Sequence, residues 1–338
     1  MTDALLAGMP ASLATEPLFG LPLGRLWLGL VFAVFGTFLF LDGFDFGVGA
    51  LFATRSDERE REQLLAAIGP FWDGNEVWLV VFGGMLFAVF PKVYASLFSR
   101  HYLLMFAILG ALILRGLAPE MYEQREDDAW TRWWGRAFVA GSVAAPFFLG
   151  VFAGNWLFGV DGMASVGSML VGTATVALTV VDGAAYLGLK TRGDVRLETR
   201  LYGYLAQAAY LLFVVAALIV GSRSAPHVEV FGMPTVGLLG VTVLLAVAYV
   251  AAAWLGRHYV AFVAVAAQVY GLAALVAILL YPVVDPVSAL SVEDAVVSTL
   301  SLNLVTIGTA FLLPIIVLYF VVLYSAFSGP VEEGEAYT

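Results

Sequence analysis

Apolar residues run along this chain in long blocks and do not show the two-residue alternation of a half-buried strand. The blocks fall at 26–53, 66–90, 98–118, 135–158, 164–189, 201–221, 235–256, 258–282 and 303–327, each bounded by charges, proline or polar turns. A helix needs about 20 apolar residues to cross the hydrocarbon of a bilayer, so the pattern predicts about nine transmembrane helices. Segments of about ten alternating residues, the mark of an outer-membrane barrel, do not stand out. The blocks 235–256 and 258–282 meet at Gly256, Arg257 and His258, which predicts a tight helical hairpin.

Composition supports the same class. The 338 residues are 61% hydrophobic and 12% charged, with a mean hydropathy of +0.92. A soluble domain carries roughly a quarter charged residues. The expected fold is an all-α integral membrane protein. With no cysteine there is no disulfide framework, thiolate metal site or cysteine nucleophile. The net charge of −10 comes partly from runs such as Asp57, Glu58, Glu60, Glu62 and Glu332, Glu333, Glu335, and nothing resembles a nucleic-acid-binding surface. Residues 1–24 lack the basic and apolar regions of a cleaved signal and are expected to form a short tail before the first helix.

Basic residues set the expected orientation, because Lys- and Arg-rich loops stay on the cytoplasmic side. Arg55, Arg59, Arg61, Arg125, Arg132, Arg136, Lys190, Arg192, Arg196, Arg200 and Arg257 lie in the loops after the first, third, fifth and seventh blocks. The opposite loops hold only Arg25, Lys92, Arg100 and Arg223, with Arg115 inside a block. The N-terminus is therefore expected outside and the C-terminus in the cytoplasm. A weak internal echo also appears. Asp42-Gly43 precedes Thr54-Arg55-Ser56-Asp57, as Asp182-Gly183 precedes Thr191-Arg192-Gly193-Asp194. It suggests two four-helix units, 25–158 and 159–282, followed by a final helix and acidic tail over 283–338, although chance similarity among glycine-rich helices would look the same.

Five ionisable residues stand where hydrocarbon is expected. Asp42 and Asp45 are three apart on one helical face, as are Asp73 and Glu76 in Trp72-Asp73-Gly74-Asn75-Glu76-Val77-Trp78. Arg115 lies near the inner end of the third block. A charge at the centre of a membrane helix costs roughly 2.5–3.5 kcal/mol, so such groups face protein or a water-filled cavity and commonly mark ion or proton routes. The alternative is a set of hydrogen bonds that locks helices together. Arg115 either pairs with a carboxylate or snorkels to the interface. Counted along the helices, all five fall in the cytoplasmic half of the bilayer. Trp72 and Asn75 read as supporting residues. Gly43, Gly47 and Gly49 fit close helix packing. Pro70 marks a break or a first turn.

His101, His227 and His258 sit at block ends or in a loop, so the chain offers no convincing set of haem ligands; Met85 and Met105 read more readily as core filler. Phosphate-loop and zinc-protease motifs are absent.

The stretches LDGFDFGVGAL (Leu41 to Leu51), GPFWDGNEVWL (Gly69 to Leu79), GGMLFAVFPKVYASLFS (Gly83 to Ser99) and Leu114-Arg115-Gly116 resemble subunit II of the cytochrome bd-type quinol oxidases, including the cyanide-insensitive branch. Beyond Asn155 the resemblance rests on hydropathy, length and the Asp182-Gly183 loop. The resemblance implies a haem-free subunit of a prokaryotic plasma-membrane complex that reduces oxygen to water with electrons from quinol. Two b haems, haem d and the quinol-oxidising loop would belong to a partner, subunit I, which this chain stabilises. It further implies that residues matching Asp42, Asp45 and Asp73 bring protons from the cytoplasm, and that Trp78 lies near an oxygen path. It leaves room for a small single-span subunit and for a quinone or lipid bound in this chain. A secondary transporter with a buried carboxylate site is the alternative function, since duplicated units and buried acids suit it too; a structural scaffold would show packing glycines without an acid cluster.

Overall fold

The protein is described from a computed structural model, which covers residues 12–125, 127–225, 228–229, 232–327 and 329–331. After two short helical turns, Ser12–Thr15 and Leu18–Gly20, the helices are α1 (Leu23–Phe52), α2 (Glu58–Ile68), α3 (Trp72–Val89), α4 (Pro91–Arg100), α5 (Tyr102–Tyr122), α6 (Asp128–Phe158), α7 (Val166–Lys190), α8 (Gly193–Ser224), α9 (Met233–Trp254) and α10 (His258–Leu280). A small antiparallel hairpin of β1 (Val283–Asp285) and β2 (Leu290–Ser291) follows, then α11 (Val292–Ala295) and α12 (Thr299–Ala326). His227, the acidic residues Glu332, Glu333 and Glu335, and residues 1–11 of the expected N-terminal tail lie outside the described residues.

Among the described residues, eight helices are long and apolar enough to cross a membrane: α1, α5 to α10, and α12. The ninth expected segment is α3, which spends its first turns on Asp73, Asn75 and Glu76 before an apolar run to Val89. The chain is thus an all-α membrane protein of about nine helices, and the hairpin after α10 is the one piece of β structure among the described residues.

Two expected blocks are broken, each for a local reason. The block 66–90 is interrupted at Gly69-Pro70-Phe71, where the Phe71 amide closes onto the Ile68 carbonyl, so α3 begins only at Trp72. Before the break, α2 is amphipathic. Asp57 caps it by accepting from the Arg59 and Glu60 amides, its first half is charged, and Leu64 to Ile68 are buried. The block 98–118 starts inside α4 and turns at His101, so the crossing helix is Tyr102–Tyr122. The hairpin at Gly256 forms as expected, with the glycine at φ +71°.

Helix α1 is the axis of the molecule, packing against α3, α6, α7 and α10. Lipid tails are as apolar as leucine, so helices associate in a bilayer through close packing and small residues. A Cβ on Gly183 would stand 2.5 Å from the backbone carbonyl carbon of Gly47, so the two glycines mark the crossing of α1 and α7. The first helices of the two expected four-helix units therefore pack directly on each other. At Gly141 of α6, a Cβ would lie 2.5 Å from the Arg115 amide nitrogen, which fixes how closely α6 supports α5.

The two ends of the bundle differ. At one end Arg55 meets Glu198 at 2.7 Å, Arg200 reaches the Ala253 carbonyl at 3.4 Å and the Lys190 ammonium donates to the Phe327 carbonyl. This end collects the arginine-rich loops. At the other end Lys92 donates to the Asp294 carbonyl at 2.8 Å, and Arg25 and Glu293 are 3.8 Å apart.

Candidate functional site

The buried charges converge on one side chain. Arg115 projects from α5 with 1% of its side chain exposed, between α1 and α3. Its Nη2 donates to Asp42 Oδ1 and, at 3.2 Å, to Asp45 Oδ2, while Nη1 lies 3.5 Å from Glu76 Oε2. The i, i+3 spacing on α1 puts both aspartates on the face that the Arg115 side chain reaches. The guanidinium also packs over the Phe46 ring at 5.1 Å and the Trp72 ring at 5.5 Å. Such stacking suits a planar, weakly hydrated cation.

Asn75 ties a third and a fourth helix to the same point. Its amide nitrogen donates to Asp45 Oδ2 at 3.0 Å and to the Leu41 carbonyl at 3.0 Å. Its amide oxygen accepts from the Tyr324 hydroxyl of α12 at 2.7 Å. Tyr324 in turn stacks on Phe71 with ring centroids 4.5 Å apart. The break at Gly69-Pro70 thus starts α3 at the depth where Asn75 and Glu76 reach α1.

Depth follows from helix rise. At about 1.5 Å per residue, Asp45 and Arg115 both stand about 10 Å inside the helix ends on the basic side, Asp42 about 15 Å and Glu76 about 6 Å. All four stand in the half of the bundle that carries the arginine-rich loops.

The expected residues separate into two groups. Asp42, Asp45, Glu76, Arg115, Asn75 and Trp72 are brought together. Asp73 is exposed on α3, one turn from Glu76, and among the described residues it makes no ion pair. Trp78 is buried at 4% exposure against Phe320 of α12, ring centroids 5.3 Å apart, and stands apart from the charges. Two members were missed as site residues. Tyr324 is 249 positions from its partner and carries no sequence signal. Asp182 is fully buried on α7, and the Asp-Gly echo of Asp42-Gly43 pointed to it.

The opposite end holds a second, smaller ion cluster. Asp285, fully buried in the hairpin, accepts from Arg100 at 3.1 Å and from Ser96 at 2.7 Å, with Ser288 as a further donor. Burial would raise this carboxyl, but these hydrogen bonds and the Arg100 charge hold it below its ordinary value. His101 beside it is pushed below the usual histidine range by burial and by Arg100. Its ring stands 6.0 Å from that of Phe152; at the basic end, His258 faces Arg196 Nη1 at 3.4 Å. Among the described residues no three His, Asp or Glu side chains form a group suited to a metal ion.

A family model described as "Cytochrome bd terminal oxidase subunit II" matches residues 23–327. The chain is 34% identical over 214 residues to cytochrome bd-I ubiquinol oxidase subunit 2 of Escherichia coli (strain K12), a match covering 58% of this chain and 55% of that one. It therefore spans about half the length of that relative. It is 34% identical over 243 residues to cytochrome bd ubiquinol oxidase subunit 2 of Bacillus subtilis (strain 168), covering 68% and 70% of the two chains. Among solved structures, a chain of the bd oxidase from Geobacillus thermodenitrificans superposes with a TM-score of 0.75 at 17% identity, over 91% of this chain and 99% of that one. At that identity the likeness shows the fold.

Proposed function

This chain belongs to the cytochrome bd terminal oxidase subunit II family, and from that premise we propose that it is the haem-free second subunit of a membrane quinol:oxygen oxidoreductase. Its partner would be a haem-bearing subunit I, carrying two b haems, haem d and the quinol-oxidising loop, and this chain would stabilise it. The partner's haems would supply the redox chemistry. This chain's own residues would hold and move protons.

Reduction of oxygen to water consumes one proton for each electron, so a site inside the bilayer needs a proton route through apolar protein. The observation that carries the proposal is one buried guanidinium meeting three carboxyls from two helices. Arg115 supplies a single positive charge to Asp42, Asp45 and Glu76. Buried charge without compensation is expensive. Some of these carboxyls therefore need a second counter-charge, and a proton is the smallest available. A relay requires this combination: one group kept ionised by its partner and another able to take up a proton.

Exposure falls along the series. Asp73 is exposed, Glu76 is 32% exposed, and Asp42 and Asp45 are fully buried. Protons would be taken up at Asp73 on the basic, cytoplasmic side and pass by Glu76 to the Arg115 cluster. Trp78 and its neighbours on α3 would border the apolar route for oxygen.

The test is quinol oxidase turnover per haem d in the purified complex bearing Asp42→Asn or Glu76→Gln. Each substitution keeps shape and removes a titratable proton. We expect normal haem spectra and turnover lowered about tenfold or more, which corresponds to about 1.4 kcal/mol or more on the barrier. Wild-type turnover in both variants across the pH range would refute the relay.

A further inference from the structure

Asp182 is left over when the Arg115 cluster has been described. It lies on α7, eight residues from Lys190, so at about 1.5 Å per residue it stands about 12 Å inside the basic end, at the depth of Asp42 and Asp45. Its side chain is fully buried. Neither carboxyl oxygen has a hydrogen-bond partner among the described residues. Its carboxyl lies against α1 at Gly43, where a Cβ would stand 3.1 Å from Asp182 Oδ2. Gly43 therefore leaves the space on α1 that this carboxyl fills. Asp45, likewise fully buried, stands two residues beyond Gly43 on α1.

An ionised carboxylate in this position would have neither a cation nor a donor among the described residues. The one guanidinium within the acid cluster is already shared by three carboxyls. Burial without compensation strongly favours the neutral acid. Packing alone explains Asp182 poorly, because an alanine or serine would fit between α7 and Gly43 without a carboxyl to desolvate.

We propose that Asp182 is a further proton-carrying site of this protein, a neutral carboxylic acid on the second half of the chain that exchanges its proton with Asp45 across the crossing of α1 and α7. The step moves one proton: the O–H bond of Asp182 breaks, an O–H bond on Asp45 forms, and negative charge passes from Asp45 to Asp182. No electrons move, and refilling from the basic side restores the start. The proposal rests on the relay reading of the Arg115 cluster and adds a store to it.

The experiment is reduced-minus-oxidised infrared difference spectroscopy of the purified complex in H2O and in D2O, with Asp182→Asn and Asp182→Glu beside wild type. The expected wild-type spectrum has a deuterium-sensitive C=O band of a protonated carboxyl, absent in Asp182→Asn and displaced in Asp182→Glu. Turnover should fall about tenfold in Asp182→Asn and recover in part in Asp182→Glu. A wild-type spectrum without such a band overturns the proposal and needs no variant to fold. Survival of the band unchanged in assembled Asp182→Asn does so as well. Asp42→Asn and Glu76→Gln separate the two readings: full turnover in both sinks the relay itself, whereas slow turnover there beside full-speed Asp182→Asn sinks only the role of Asp182.

Discussion

Gly47 and Thr179 leave no space between them: a Cβ on Gly47 would stand 1.9 Å from the Thr179 carbonyl oxygen. That contact sets the distance between α1 and α7, and with it the position of Asp42 and Asp45. The neighbour is backbone, so relief requires the helices to separate. Gly47→Ala should therefore destabilise the assembled protein by about 1–3 kcal/mol, the usual cost of overpacking. Gly240→Ala on α9, where a Cβ would meet nothing within 4 Å, should be neutral or gain from helix propensity. Thermal denaturation of the two purified variants compares them; equal midpoints would show that the crossing tolerates separation.

Arg115 and its acids should behave as one unit. Arg115→Gln leaves three carboxyls without their cation, and removing one partner of a buried ion pair costs about 3–5 kcal/mol. In an Asp42→Asn background the same substitution leaves one fewer charge unpaired and should cost less. The coupling is read from a double-mutant cycle on thermal stability. Additive effects would mean that Arg115 and Asp42 do not share charge.

The ion cluster at the opposite end predicts a pH dependence of definite sign. The folded-state value of Asp285 is depressed below the ordinary 3.8. Its contribution to stability is thus fully present above 3.8 and lost as pH falls through the lower folded value. His101 is depressed below 6.5, so the unfolded chain takes that proton first and stability begins to decline as pH falls below 6.5. Thermal midpoints measured against pH should show both declines. His101→Phe should remove the upper one and Asp285→Asn the lower; persistence of either decline in its variant would reject the assignment.

Orientation can be tested because the natural chain contains no cysteine. Ser56 and Asp194 are exposed at the basic end, and Met163 is 63% exposed at the other. Thr191, in the same loop as Asp194, is unsuitable because it is fully buried with its hydroxyl bonded to the Leu187 carbonyl. An impermeant thiol reagent added to intact cells should label Met163→Cys and spare Ser56→Cys and Asp194→Cys. The reverse pattern would invert the topology.

Hydropathy alone determined that this chain spans a bilayer, where most crossings lie and which loops share an end, because those properties depend on transfer free energy summed along the chain. Local chemistry determined more: Pro70 marked either a break or a first turn, and residues three apart on α1 had to share a face. Which of Asp73 and Glu76 meets Arg115 was not legible, since three residues separate directions by only about 60° around a helix. The rotation of α3 decides it, and that rotation comes from Asn75 bonding to α1 and to Tyr324 of α12. The same holds for Asp182. Its sequence echo was visible, but only the packing of α7 on Gly43 and Gly47 shows that it is a buried acid facing α1, without a hydrogen-bond partner among the described residues, because burial belongs to the contact of two helices and to neither helix alone.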